Sequence, residues 1–470
     1  MRYPIIGIGL QGKSSNVSAQ RRMNLYMDIQ AQEDKTMISL HERVGLALFA
    51  DFGDTPIRGM LVAGGLLYVV HRGTLWSVTG AGVKTSRGTL STTTGRVDMA
   101  HNQSAIGGVG GQLHLTDGTA GYTYTIASTT LAAITDAQYY DAAEFTVYHD
   151  GFFIVPRPGT GQFYLSATDD GTDWDALDFA TAEKTPDDLL RILDNSTEIL
   201  LAGSSSIEMW NNTGAAFPYE RVSGGVIELG LEAPWSAARF GESSTVMLAI
   251  NPQQGQVKVI RIDGFQYATI SNPELETLLN GYTTNNATAY SYVHDGHPFY
   301  QLNFPTDGKT WLYDGVTNLW SELSSGTLGA RHRGEIGVAF NGSVYVSDFE
   351  DGRLYVHDKS THTDAGFPFA VEFQGRHIFD EKPIQISRLW VDMETGVGNE
   401  AGLDPQLSLF ISKDGGHSWG NEKTTSIGKI GEYAKRAIYR RLGRGFDLVF
   451  RLRCTDAVKR VFVGAWINPL

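Results

Sequence analysis

The 470-residue sequence holds one cysteine, Cys454, so neither an intrachain disulfide nor a thiolate metal cluster can be built from this chain alone. A single cysteine in an alternating apolar segment reads as a small buried hydrophobe. No run approaches the roughly 18 consecutive apolar residues that a membrane-spanning helix needs, and the opening MRYPIIGIGLQGKSS has no charged leader or cleavage site. The expectation is a chain made and kept in the cytoplasm, with no membrane insertion. Prolines number only 15 against 54 glycines, which excludes a Pro-rich linker and points to many tight turns. Positive charge is also scarce: 38 Lys/Arg against 52 Asp/Glu, net −14, which argues against a general nucleic-acid coat.

Also missing are the spacings that announce common chemistries. There is no HExxH metal pair, no GxxxxGK[ST] phosphate loop and no GxSxG nucleophile elbow. Adjacent acids such as Asp169 with Asp170 and Asp187 with Asp188 point to different sides of a strand or loop, so solvated turn carboxylates are the default reading. No catalytic residue, cofactor or metal is expected, and the chain does not read as an enzyme.

What is present is repetition. A Gly/Asn/Asp turn followed by alternating apolar and polar residues recurs in GGLLYVVHRGTLWSV, GGQLHLTDGTAGYTY, HDGFFIVPRPGTGQFYLS, STEILLAGSSSIEMW, STVMLAINPQQGQVKVIRI, HDGHPFYQLNFPTDGKTWLYD and NGSVYVSDFEDGRLYVHD. Equivalent starts at 65, 111, 151, 198, 246, 296 and 342 are 40 to 50 residues apart, the length of one four-stranded propeller blade. The fold expected is all-β: a β-propeller of about seven blades over residues 51–366, with six as the alternative count. Residues 1–50 form an N-terminal segment, and its MNLYMD and KTMISLHERVGLALF supply strands for propeller closure. Residues 367–470 carry five alternating strands with longer connections and read as a small C-terminal β-sandwich or barrel. Helix-start chemistry is confined to PELETLLNGY and TPDDLLRIL.

Two local motifs stand out. SKDGGHSW fits the Asp-box of sialidase-like propellers through Ser412, Asp414, Gly416 and Trp419, and ATDDGTDW keeps Asp169, Gly171 and Trp174. In such a hairpin the aspartate accepts backbone N–H groups, glycine permits positive φ and the tryptophan packs underneath, so these residues are expected to stabilise turns. The second motif is a basic tract with Lys435, Arg436, Arg440, Arg441, Arg444, Arg451 and Arg453. Residues 435–460 hold nine Lys/Arg and two acids, which leaves 29 basic and 50 acidic residues elsewhere, net −21. The tract reads either as a contact for DNA or an acidic partner protein, or as a solvated sheet face.

RRMNLYMD (21–28), GRVDMAHNQSAIGGVGGQL (95–113), GSSSIEMWNNTGA (203–215), ISKDGGHSW and YRRLGRGFDLVFRLRC occur in an order that resembles the packaged-DNA stabilisation proteins of short-tailed phages, also called tail accessory factors or tail hubs. The resemblance spans nearly the whole chain. It implies a structural virion protein: a hub or nozzle ring subunit, hexameric, that binds below the portal and its adaptor, extends the tail tube and retains double-stranded DNA in the channel. Its partners would include a tail needle or plug and tailspike or fibre proteins, and its place would be the phage tail, assembled in the host cytoplasm. The alternative class, motivated by the Asp-box, is a sialidase-like propeller acting as a glycan-binding module or glycosidase.

Overall fold

The computed structural model describes residues 2–3, 10, 12–30, 37–102, 111–182, 184, 187–327, 329–398 and 403–469. Part of the 95–113 motif and the start of TPDDLLRIL lie outside these residues.

Antiparallel meanders follow one another along the chain at 57–89, 98–133, 147–181, 189–227, 230–269 and 288–325, each of four strands except at 230–269, where Gly230–Leu231 and Ala238–Phe240 both pair with Ser244–Asn251. A further array takes its inner three strands from 334–358 and its outermost from Gly45–Asp51, which pairs antiparallel with Arg353–Asp358. The innermost strands meet in succession, and Gly334–Phe340 packs back against Ile57–Ala63. Seven blades therefore close a ring, six of consecutive strands and one completed by the N-terminal segment. Seven buried apolar clusters sit between successive blades, for example Leu67, Val69 and Leu354 between the seventh and first. Each blade thus buries a face that it could not bury alone.

The turns explain the hairpins. Asp150–Gly151, Asp295–Gly296 and Asn341–Gly342 each place two consecutive residues at positive φ, between 46° and 92°. That is the type I′ geometry that matches strand twist and favours Asn-Gly or Asp-Gly. Pro273–Leu279 is the helix expected from PELETLL, capped by Asn272 Oδ1, which accepts Leu275 N–H at 2.9 Å. The helix expected in TPDDLLRIL is instead the inner strand Leu189–Asn195, because Ile192 and Leu189 are drawn into the cluster between the third and fourth blades.

Beyond the propeller, two sheets pack around a core that includes Val371, Phe373, Leu389, Leu409, Phe450 and Ile467. One sheet joins Ile378–Met393 to Val461–Pro469 and the first half of Ala437–Cys454; the other joins Val371–Gln374 and Gln406–Ser412 to its second half. This is a β-sandwich whose two sheets share one long bent strand. The N-terminal segment, expected to supply strands for propeller closure, divides between the two bodies. Only Gly45–Asp51 closes the ring, whereas Leu25–Ile29 and Ile38–Glu42 extend the first sandwich sheet and Arg21–Met23 pairs with Val371–Gln374 in the second. The physical reason is a strand with two buried faces: Leu25 and Met27 enter the sandwich core while Tyr26 enters the cluster between the sixth and seventh blades.

The seam between the two bodies is charged. Arg43 makes a bidentate pair with Asp364 at 2.9 and 2.7 Å, both side chains being buried, and Arg460 Nε donates to Glu42 at 2.7 Å. The two guanidinium groups lie 3.8 and 4.5 Å from the Phe369 ring centroid, so one aromatic ring carries both. Arg21 reaches Glu322 of the sixth blade and Glu372 of the sandwich together. The RRMN motif is therefore a clamp across the seam.

Candidate partner-contact surfaces

The two Asp-box-like turns use the same residues differently. At 412–419, Ser412 Oγ donates to Asp414 Oδ1 at 2.6 Å and accepts Gly416 N–H at 2.8 Å, while Asp414 accepts Ser418 N–H at 2.9 Å. The Ser412 and Ser418 hydroxyls hold the Asp414 carboxyl well below the usual carboxylate range. Gly415 and Gly416 sit at φ 68° and 94°. Trp419 does not pack underneath: its ring is half-exposed and carries the Arg451 guanidinium at 3.7 Å.

At 167–174 the order of roles shifts by one residue. Asp170, not Asp169, accepts the turn N–H, from Thr172 at 3.0 Å, and Asp169, at φ 57°, accepts the Tyr148 hydroxyl. The Gly171 N–H is taken by Gln112 Oε1 at 2.8 Å, and a Cβ there would meet the Phe153 ring at 3.1 Å, tighter than an ordinary contact. Trp174 is 2% exposed and donates Nε1–H to Gly171 O at 2.9 Å, among Tyr139, Phe153 and His114.

The basic tract comes apart along the strand Ala437–Cys454. Arg451 and Arg453 lie beside Glu372, whose side chain is fully buried, and Arg453 Nε donates to it at 2.7 Å. Arg451 also bonds Gln374 Oε1, at 3.1 Å through Nη2. These two arginines are largely neutralised inside the protein. Lys435 approaches Glu432 at 3.8 Å, and Arg436 lies 4.8 Å from the Trp390 ring centroid. Arg440, Arg441 and Arg444 are exposed and form no ion pair among the described residues. Arg388, directly across from Arg440 on the neighbouring strand, joins them; it was not singled out from the sequence, although the alternation in ISRLWVDM puts Arg388 and Trp390 on one face.

A second convergence was missed altogether, because its members are scattered singly along the sequence. Trp235, at the entrance to the fifth blade, has Arg96, at the entrance to the second, 4.3 Å from its ring centroid; Phe145 lies at 4.7 Å and Arg191 at 5.4 Å. Arg96 in turn pairs with Glu335 of the seventh blade at 3.3 Å, and Glu335 accepts the Thr288 hydroxyl of the sixth at 2.8 Å. Blades two and five stand on opposite sides of a seven-membered ring, so side chains from them can touch only on its axis. The propeller's axis is filled by side chains at this level. Burial raises the Asp98 carboxyl and lowers the Arg96 and Arg191 guanidinium groups beside it.

Comparison with protein families places both bodies. A family described as bacteriophage P22 Gp10, beta-propeller, matches residues 11–362, and one described as bacteriophage P22 Gp10, beta-sandwich, matches residues 370–468. The chain belongs to the bacteriophage P22 Gp10 family. As a Gp10-family protein it is a phage structural protein of the virion tail that stabilises packaged DNA. No curated protein matches it. Solved structures of similar outline are the computationally designed Ika8 protein, at 12% identity and TM-score 0.39 over 71% of this chain and 96% of that one, and YCF48 bound to D1 peptide, at 11% and 0.41 over 70% and 99%. A third is the N-terminal domain of Nup159, at 7% and 0.39 over 70% and 97%. Likenesses this loose say nothing of what a Gp10-family protein does.

Proposed function

We propose that this protein is the hub or nozzle ring subunit of a short-tailed phage tail. It binds below the portal and adaptor, extends the tail tube and retains the packaged DNA, and it does so mechanically, without catalysing a reaction. The observation that carries this reading is the pair of Gp10-family matches, which together span both bodies of the chain. The filled axis supports it: with Arg96 against Trp235, DNA would run between copies and not through a single propeller. Six copies around the duplex, with an adaptor ring above and needle and tailspike or fibre proteins below, make up the assembly proposed, formed in the host cytoplasm. In it a propeller over 51–366 and a sandwich over 367–470 act as one subunit, tied by residues 1–50. A net charge of −14 suits a tube wall that must let DNA slide, because like charge disfavours adhesion of phosphate.

Particles assembled without the protein test this. They are expected to package DNA and then lose it on purification; particles that keep intact genomes would refute the retention role.

A further inference from the structure

Blade three ends in an irregular outer strand, Asp170–Thr181. Tyr164 faces Phe179 and Ser166 faces Trp174, so residues 175–178, Asp-Ala-Leu-Asp, oppose the single residue Leu165 and stand out from the sheet. Leu177 at the tip is 80% exposed and Asp175 beside it is exposed. The bulge is held rather than loose: Asp175 Oδ1 accepts Leu177 N–H at 2.9 Å and Gln138 Oε1 accepts Ala176 N–H at 2.7 Å. Burial, and then the nearby Asp175, raises the Asp178 carboxyl, so a cation brought alongside is favoured.

The sandwich carries the complement. Opposite Ser387 the strand Ala437–Cys454 inserts Arg441 and Leu442 between the pairs Arg388–Arg440 and Ile386–Gly443, and Arg441 takes φ 58°. On its other side Ser387 has no partner between the pairs Arg388–Asn468 and Ile386–Pro469, and its hydroxyl donates to Asn468 O at 3.0 Å. Two bulges at one place open a groove of about 590 Å³ lined by Arg388, Arg440, Arg441, Gln385, Ser387 and Asn468, with no acid in its wall. The next row on the same face is the stacked pair Trp390 and Trp466, centroids 4.7 Å apart. Arginines in a groove with a tryptophan pair beside it are the composition of a protein interface centre, where DNA backbone contact alone calls for no aromatic ring.

The bulge and the body that carries the groove stand at opposite places around the propeller ring. The sandwich joins the propeller at the sixth and seventh blades, through Met23 beside Glu322 and through Gly45–Asp51, and the third blade is three places from each around the ring. Complementary patches at separate places make a head-to-tail contact, the kind that closes into rings. We propose that the acidic bulge 175–178 of one copy seats in the Arg388/Arg440/Arg441 groove of the next, and that this is the lateral contact of the ring; the proposal rests on the ring-subunit reading above. Leu177 enters between the arginines and the two aspartates pair with them, bidentate where the planes align.

Charge exchange tests it in assembled particles. R388E/R440E and D175R/D178R are each expected to lower the copies per particle by about tenfold or more, since like charges then face each other, and the four changes together are expected to restore them. Thermal unfolding of each purified variant separates misfolding from lost contact, and D175N/D178N with R440Q serve as milder versions if a reversal does not fold. Normal incorporation of either reversal, or no restoration by the combination, overturns the contact. Loss with R388E/R440E while D175R/D178R is silent also overturns it and points to DNA or another protein in the groove. The ring reading itself stands or falls separately, on genome loss from particles that lack the chain.

Discussion

The turns at 167–174 and 412–419 share aspartate, glycine and tryptophan at equal spacing, yet one tryptophan is buried at 2% exposure and the other lies half-exposed under an arginine. Trp174 sits between two blades, where Phe153 of its own sheet, His114 of the second blade and Tyr139 of the connection between the two cover it. Trp419 follows the sandwich strand Gln406–Ser412, and its ring instead packs against the guanidinium of Arg451. The motif dictates a tight turn, and what its aromatic ring does depends on which layer lies above.

Four substitutions or conditions would break or sharpen that contrast. The largest effect is expected from Trp174→Ala, which empties the contact between the second and third blades and costs about 4 kcal/mol in urea unfolding. Next comes Glu372→Ala, which strips the buried counter-charge from Arg21, Arg451 and Arg453 and frees Arg451 from one of its three partners; about 3 kcal/mol is expected by the same measurement.

Acid separates the two turns further. His114, buried against Trp174 and Phe153, is pushed down to about 3 by burial. Its folded-state value lies below the unfolded one, so its contribution is complete above pH 6.5 and declines as the pH falls toward 3. The loss is about 1.4 kcal/mol per unit, or about 2 kcal/mol at pH 5. His114→Leu should flatten the dependence of melting temperature on pH by one proton's worth, and a slope unchanged by that substitution would show that other groups govern it. The smallest effect is expected from Trp419→Ala, about 1 kcal/mol or less, because a half-exposed ring over a guanidinium loses little on removal.

Much of the fold was legible before any coordinates. Repeating hairpins with Asp-Gly and Asn-Gly turns specify type I′ reversals and a blade-length period, and those are local properties. The first division of the N-terminal segment was not legible: LYMD alternates as any half-buried strand does, and nothing local says that Leu25 and Met27 face one body and Tyr26 the other. The surfaces were legible only in part. The basic tract was visible as a run of charge, but charge along a strand does not reveal its partner, and Glu372, which neutralises Arg451 and Arg453, lies some 80 residues away in the sequence.

What the amino-acid order by itself determined is the local grammar: where strands alternate, where glycine or aspartate reverses the chain, how long each module is, and which family the ordered motifs resemble. What only the tertiary structure decided is which charges remain free. Arg440 and Arg441 face an open groove while Arg453, on the same strand, is paired with a buried acid, and Arg96 meets Trp235 across a ring. The reason is physical: turn and strand preferences act over a few residues, whereas desolvation and ion pairing depend on groups brought together from distant parts of the chain.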